Sequence, residues 1–351
     1  MTTSTKTLLL AISSLAAVAM NTGCAGDAPG MDPTNPGDDT TVPTDETPKD
    51  MTFTGTYKMA STFDIATNMP GKAGQISNMF IAATDDADDP TNWLLEQMIN
   101  AMPNGTAKTL LDNARGFVAG YLNDRLLNWA PDFVSTMVEM GNNFGDLTHH
   151  FGLVETLSIA GADGVYSASH QVTGVHLKLD ANEQDFMFSD MSTPVVSVDG
   201  IGVDVGTNGK LTFANHTLPL QYGAIMRVGL DGMIIPAIDA NATNLNDLFA
   251  HQIDCAAVSQ YIANAIGFGG STTYAGACAA GLDAGANYLY TQLADVDGSA
   301  LEFAITGSGR ALDANGDKAA DKIQTGTWTG DLSYAGSPAP LGAATFHAER
   351  Q

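Results

Sequence analysis

The chain has few basic residues. Only 14 of its 351 residues are Lys or Arg, against 39 Asp and Glu, and its formal net charge is −25 at pH 7. Nucleic-acid binding depends on neutralising phosphates with Lys and Arg, so this composition argues against a nucleic-acid partner. It also argues against attachment to anionic lipid through a basic patch. Strong acidity favours solubility and is compatible with cation binding.

Recognisable catalytic motifs are missing as well. The sequence has no G-x-S-x-G nucleophile elbow, since Gly307-Ser308-Gly309 is only a serine between two glycines, and it has no H-E-x-x-H and no P-loop. The histidine groupings are His149-His150 and the pair His170 and His176. The latter two are six positions apart, which would place them on one face of a strand. We therefore name no catalytic residue, and the sequence favours a non-enzymatic protein.

The first 24 residues have the layout of a secretory signal that ends at a cysteine. Lys6 precedes the apolar run Leu8–Met20, which is shorter than the ~20 residues that span a bilayer, and Asn21-Thr22-Gly23 leads to Cys24. This layout resembles the bacterial lipoprotein signal, which implies lipidation of Cys24 as the first mature residue. Asn21 departs from the apolar residue that is usual three positions before that cysteine. The alternative is ordinary cleavage after Ala17-Val18-Ala19, which gives a soluble secreted protein.

Residues 24–50 have the composition of a disordered tether. They contain five prolines, many Asp and Thr, and one large apolar side chain, Met31. Such a segment cannot bury enough apolar surface to offset the entropy of ordering it. Signal and tether together resemble uncharacterised envelope lipoproteins of Gram-negative bacteria such as myxobacteria, over residues 1–50 only. With Ala25 after the cysteine, this resemblance implies a lipid anchor in the outer membrane, on its periplasmic or surface-exposed face.

The three cysteines of the chain predict one disulfide. If lipid modifies Cys24, then Cys255 and Cys278 form an even pair in an oxidising compartment. A bridge between them would stabilise the fold by roughly 3 kcal/mol in the chain-entropy model. Two buried free thiols are the alternative, and a zinc pair is disfavoured because no nearby Cys or His completes a zinc-binding spacing.

Hydrophobic patterning predicts a single α+β domain over residues 51–351. Helical blocks are expected at about 90–140 and 244–294, and Asp89 with Pro90 favours a helix start. Strands are expected elsewhere, including Gln75–Ala83 and Leu218–Ile235, with a hairpin turn at Asn208-Gly209. Because strands and helices come in blocks, a parallel α/β sheet is disfavoured. The predicted fold is a curved antiparallel β-sheet or barrel with two helical blocks packed on or inside it.

The first helical block is rich in methionine and aromatic residues. These side chains either pack in the core or line a cavity for a lipid or other apolar ligand between sheet and helices. A structural or adhesive surface protein, and a hydrolase with a non-motif active site, are the alternative functions. The candidate cavity residues are Phe117, Tyr121, Trp129, Phe133 and Met137.

One acidic loop has the spacing of a calcium site. Oxygen-bearing side chains lie at positions 1, 3, 5 and 9 of residues 313–321, which resembles the first part of calcium-binding loops of the form D-x-[DN]-x-D. Lys318 replaces the usual glycine, and Gln324 replaces the closing glutamate. The alternative is a hairpin turn built from Asp, Asn and Gly. The candidate Ca²⁺ ligands are Asp313, Asn315, Asp317 and Asp321.

Overall fold

A computed structural model describes residues 51–85, 131–266 and 270–351, with positions 99, 104, 105, 108, 109 and 112 between them. The strands are β1 (Gly55–Phe63), β2 (Phe151–Ala162), β3 (Val165–Leu179), β4 (Asn182–Met187), β5 (Val196–Val205), β6 (Lys210–Leu220), β7 (Leu301–Leu312), β8 (Lys322–Tyr334), β9 (Ser337–Pro340) and β10 (Ala344–Arg350). The helices are α1 (Gly71–Asp85), α2 (Pro131–His149), α3 (Tyr222–Gly229), α4 (Ile235–Ile238), α5 (Leu245–Gln252), α6 (Cys255–Ile266) and α7 (Ser271–Val296). A π-helical turn, Leu230–Ile234, joins α3 to α4.

Eight of the strands close into an antiparallel barrel, so the predicted α+β class and sheet form are confirmed. The order around the barrel is β1-β2-β3-β5-β6-β7-β8-β10, and β10 pairs with both β1 and β8. Strands β4 and β9 pair with β3 and β8 outside this circuit. Strand β7 shows the underlying alternation, because Leu301, Phe303 and Ile305 are buried while Glu302 between them is exposed. Closure pairs the edges that an open sheet would leave exposed.

The two ends of the barrel differ in what connects the strands. At one end, which we call the hairpin end, residues 163–164, 206–209 and 313–321 join consecutive strands. At the other, the helix end, α1 and α2 are inserted between β1 and β2, and α3 to α7 between β6 and β7. The predicted turn at Asn208-Gly209 is confirmed, since both residues have positive φ (59° and 68°) and Val203 pairs with Phe213 across the hairpin.

The disulfide pairing agrees with the prediction. The Sγ atoms of Cys255 and Cys278 are 2.00 Å apart, at disulfide distance, and join the start of α6 to α7. Helix α7 buries Cys278, Leu282 and Leu293 at helical spacing. No helix in the described ranges is long and apolar enough to cross a membrane.

The strand prediction for Leu218–Ile235 is wrong beyond Leu220. Strand β6 ends there, and Tyr222–Ile238 is helical. Glycines that suggested strand bends instead permit close packing: a Cβ atom on Gly223 would lie 1.9 Å from the Leu293 carbonyl oxygen of α7. The requirement for glycine therefore arises from helix packing, which local patterning does not distinguish from a strand bend.

The first helical region also departs from its prediction. Gln75–Ala83, expected as a strand, lies in α1, where Ala73, Ile76 and Ser77 are buried at positions i, i+3 and i+4. Helix α2 begins at Pro131 and continues to His149 rather than ending near 140. The predicted helix start at Pro90 lies outside the described residues.

Candidate functional site

A cleft lies at the helix end, between β4 and the helices α3 and α7. Its volume is about 510 Å³, which is within the range of small-molecule sites. The half-buried side chains of Phe186, Met191 and Val228 supply an apolar wall. Arg227, Asp231 and Asp297 supply its polar groups, and small residues of the helices, such as Ala224 and Ala294, complete the lining.

The π-helical turn Leu230–Ile234 carries Asp231 into this cleft. Such turns add a residue to a helix and occur frequently at functional sites. One oxygen of Asp231 accepts a short hydrogen bond from the Tyr290 hydroxyl, and the other lies 3.6 Å from Arg227 Nε. The Leu245 N–H donates to the Tyr290 oxygen at 2.9 Å. The cluster thus ties the π-helical turn to α5 and α7.

Burial dominates the electrostatics of the cleft. It raises the pKa of Asp231, although the hydrogen bond from Tyr290 and the charge of Arg227 act in the opposite direction. It also raises the pKa of Asp297, whose Oδ1 accepts the Gly223 N–H at the start of α3 at 2.8 Å. The Arg227 guanidinium carbon lies 4.6 Å from the centre of the Tyr290 ring. Both carboxylates therefore have partners within the protein, while Arg227, at 57% side-chain exposure, is accessible to a ligand.

A second polar cluster is buried inside the barrel. His170 Nε2 lies 2.9 Å from Glu155 Oε1, and His170 Nδ1 lies 2.9 Å from His216 Nε2. Ser61 donates to Glu155 Oε2 at 2.5 Å and accepts from Trp328 Nε1 at 3.0 Å. The rings of His170 and Trp328 stack with centroids 5.8 Å apart. Five different strands converge here, and each side chain is at most 6% exposed.

Hydrogen-bond geometry fixes the protons of this interior cluster. His216 Nδ1 faces the Ala214 carbonyl at 3.0 Å and must donate to it. Burial lowers the pKa of His216 and so favours an unprotonated Nε2, which can accept from His170 Nδ1. One proton then remains between His170 and Glu155, and the pair has no net charge whichever group holds it. A closed, satisfied network of this kind orders the barrel interior and leaves no group available to a substrate.

The expected pairing of His170 and His176 on one strand face is wrong. The β2–β3 register passes from Val154 opposite Gly174 to Glu155 opposite Val172, which inserts one extra residue between the two histidines. This bulge reverses the alternation of side chains. His170 therefore points into the barrel, whereas the more exposed His176 contacts Asp185 at 2.7 Å.

The acidic loop 313–321 forms a turn, and its predicted calcium site stays a prediction. Asp313 accepts two backbone N–H groups, at 2.7 and 2.9 Å, and Asp321 accepts another at 2.8 Å. Asn315 and Asp317 accept further backbone N–H groups at 2.9 and 2.8 Å. These oxygens hold the loop backbone in the manner of Asx turns. Throughout the described part of the chain, no group of three or more His, Cys, Asp or Glu side chains is arranged to hold a metal ion.

Several predicted site residues fall outside the described structure. Phe117, Tyr121, Trp129 and the lipidation site Cys24 lie in ranges that are not described, and Phe133 and Met137 lie in α2 with side chains that are not described. The predicted cavity wall therefore stays a prediction.

The cleft residues were not anticipated, because their segment was interpreted as a strand. Arg227 and Asp231 are four positions apart, the spacing of an ion pair on a helix, and this signal could have identified them. The interior cluster was likewise missed except for His170, because it combines residues from five separate strands.

No protein-family model, curated protein or solved structure matches this chain. Its class is therefore defined by the fold and the site: an α+β protein with a closed antiparallel barrel and a ligand-sized cleft at the helix end.

Proposed function

We propose that this protein is a non-enzymatic envelope lipoprotein, anchored through Cys24, whose domain binds a lipid or other apolar ligand. The supporting observation is the cleft between β4 and the helices, whose lining combines the apolar side chains of Phe186, Met191 and Val228 with Arg227. Such a cleft suits an amphipathic molecule with a polar head and an apolar body.

The apolar wall provides the driving force for binding. Phe186 and Met191 are only partly buried, so a ligand that covers them would remove apolar surface from water. Methionine also adapts to varied apolar shapes. Arg227 adds hydrogen-bond donors for a polar head, and Asp231 and Tyr290 hold its guanidinium in place.

The ligand proposal is tested by native mass spectrometry of the chain secreted by a bacterial host. We expect extra mass that is released on denaturation and identified as lipid. Ala294→Trp should abolish the adduct by filling the cleft, whereas Ala280→Trp, at another exposed alanine of the same helix, should retain it. A bare mass from the wild-type protein would favour the structural or adhesive alternative.

The anchoring proposal has a separate test. A lipid on Cys24, followed by the acidic tether, would hold the domain away from the outer membrane surface. Cys24→Ser should move the protein from the membrane fraction to the soluble fraction of a bacterial host. Retention of the variant in the membrane fraction would contradict the anchor and favour a different mode of attachment.

The raised pKa values of Asp231 and Asp297 favour a hydrolase as the second candidate. Their partners argue against it, because Tyr290 and Arg227 contact one carboxylate and the Gly223 N–H contacts the other. Hydrolysis of a panel of ester and glycoside substrates that is lost in Asp231→Asn would support this candidate over simple binding.

A further inference from the structure

The cleft at the helix end carries charges of both signs close to one short helix. Gly223 and Arg227 both line it and are four positions apart on α3, so they lie near the same face of that helix. Asp297 also lines the cleft and accepts the Gly223 N–H at 2.8 Å. The Asp297 carboxylate and the point where the Arg227 side chain leaves α3 are therefore about one helical turn apart, which is ~6 Å along the helix axis.

Asp297 is a half-buried carboxylate without a basic partner. Its hydrogen bonds come from the backbone N–H groups of Gly223 and Ala224, and no Lys, Arg or His among the described residues forms an ion pair with it. Burial raises the pKa of Asp297, so these two bonds do not offset the cost of removing its charge from water. A carboxylate has about four acceptor sites, and two N–H groups leave room for a further donor. A cation bound here would stabilise the charged form of Asp297.

Arg227 is the corresponding positive group of the cleft. Asp231 approaches it most closely at Nε, at 3.6 Å, and the Arg227 side chain is 57% exposed. The Tyr290 ring, whose centre is 4.6 Å from the guanidinium carbon, packs against it and limits its conformations. A guanidinium restrained in this way presents its terminal N–H groups as a planar fork that matches a phosphate.

We propose that the cleft selects a zwitterionic phospholipid with a primary ammonium group, whose phosphate binds Arg227 and whose ammonium binds Asp297; this rests on the apolar ligand proposed above and adds the chemistry of its head. A phosphoethanolamine head carries its two charges on a two-carbon linker, which suits groups one helical turn apart. The ammonium would donate a charge-assisted hydrogen bond to the Asp297 carboxylate. Acyl chains would cover Phe186, Met191 and Val228, which a free phosphoethanolamine would leave in water.

The charges of the cleft disfavour other headgroups. A purely anionic head would enter a cleft whose described lining has two carboxylates, Asp231 and Asp297, and a single basic side chain, Arg227. A trimethylammonium head has no N–H group to donate to Asp297. An uncharged head would leave both Asp297 and the fork of Arg227 without the opposite charge.

Isothermal titration of the full chain, processed and purified from a bacterial envelope, tests this selectivity with dihexanoyl lipids that differ only in the head. These lipids are phosphatidylethanolamine, phosphatidylglycerol and diacylglycerol. We expect phosphatidylethanolamine to bind about tenfold more tightly than phosphatidylglycerol, equivalent to ~1.4 kcal/mol, and diacylglycerol to bind most weakly.

Three variants assign the two charges of the head. Asp297→Asn should remove the preference for phosphatidylethanolamine, because the amide oxygen can still accept the Gly223 N–H while the charge is lost, and affinity for phosphatidylglycerol that does not fall shows an intact cleft. Arg227→Gln should weaken binding of both phospholipids but not of diacylglycerol. Asp295→Asn is the matched control: it removes the same charge two residues away, from an exposed carboxylate paired with Lys72 at 3.0 Å, and should retain the preference.

The outcomes separate the headgroup from the apolar ligand. Equal affinity for all three lipids would overturn the headgroup assignment and leave binding of an apolar ligand standing, whereas absence of binding to any of them would contradict the proposed function as well. A preference for phosphatidylethanolamine that survives in Asp297→Asn, or that Asp295→Asn removes to the same extent, would overturn the assignment of the ammonium to Asp297.

Discussion

Glu155 holds the interior polar cluster together, and we expect Glu155→Ala to destabilise the barrel far more than Glu155→Gln. The carboxylate is 1% exposed, accepts a 2.5 Å hydrogen bond from Ser61 and lies 2.9 Å from His170 Nε2. Alanine leaves both neighbours without that partner in an interior that water does not reach. A buried polar group left without its partner costs about 1–3 kcal/mol, so the two neighbours together should cost about 2–6 kcal/mol.

Glutamine should preserve the network at small cost. Its amide NH₂ group can donate to His170 Nε2, and its carbonyl oxygen can accept from the Ser61 hydroxyl, in nearly the same volume. Because the cluster has no net charge in either proton arrangement, a neutral side chain creates no unbalanced charge. The expected loss is below ~1 kcal/mol, which is comparable to one ordinary hydrogen bond.

Urea denaturation of the two variants and the wild-type protein, followed by far-UV circular dichroism, measures both losses. Near-UV circular dichroism reports on the packed aromatic side chains, among them Trp328, which donates to Ser61 and should lose its fixed environment in Glu155→Ala only. A loss below about 1 kcal/mol in Glu155→Ala would refute the reasoning, because it would mean that water or neighbouring groups satisfy the cluster. Equal losses in both variants would show that the charge, rather than the hydrogen bonds, holds the cluster.

Three further predictions concern the disulfide, pH and two helical glycines. Reduction of Cys255–Cys278 should lower the free energy of unfolding by roughly 3 kcal/mol, and both cysteines should resist alkylation in denaturant until a reductant is added. Because the pKa of His216 is lowered in the folded protein, the unfolded chain binds a proton at this ring first as the pH falls. The free energy of unfolding should therefore decrease from pH 7.5 to about 5.5, which lies below the ordinary histidine pKa of ~6.5. NMR titration of the ring in the folded protein should show the lowered pKa. Stability that increases over this range would contradict burial of a neutral His216. Gly276→Ala in α7, where a Cβ atom meets nothing within 4 Å, should raise the free energy of unfolding by about 0.5–1 kcal/mol. Gly223→Ala should lower it, because the added Cβ would lie 1.9 Å from a carbonyl oxygen. Thermal melts of the two variants should therefore shift in opposite directions.

Local features of the fold were predictable where the conformational preferences of a few neighbouring residues decide them. The turn at Asn208-Gly209 requires positive φ, which these two residue types tolerate best, and the β7 alternation of buried and exposed residues follows from strand geometry. The Cys255–Cys278 pair followed from the cysteine count and the compartment that the signal predicts. Prediction failed at α3, because a glycine that permits close helix packing and a glycine that bends a strand look alike in sequence.

The candidate sites depended on contacts between distant parts of the chain. Arg227 and Asp231 share one helical segment, but Phe186 in the lining comes from β4, and Tyr290 comes from α7. The interior cluster needed both barrel closure and the bulge in β3, which turned His170 inward and His176 outward.

The sequence by itself determined the acidic composition, the resemblance of its first residues to a lipoprotein signal, the cysteine pair and the local turn and strand patterns, because short stretches of sequence carry these signals. Only the tertiary structure decided the barrel closure, which pairs Phe63 with Ala344, and the convergence of Lys210 with Arg310. The physical reason is that strand pairing and register bulges depend on packing between segments far apart in the chain, where a one-residue shift reverses every side chain.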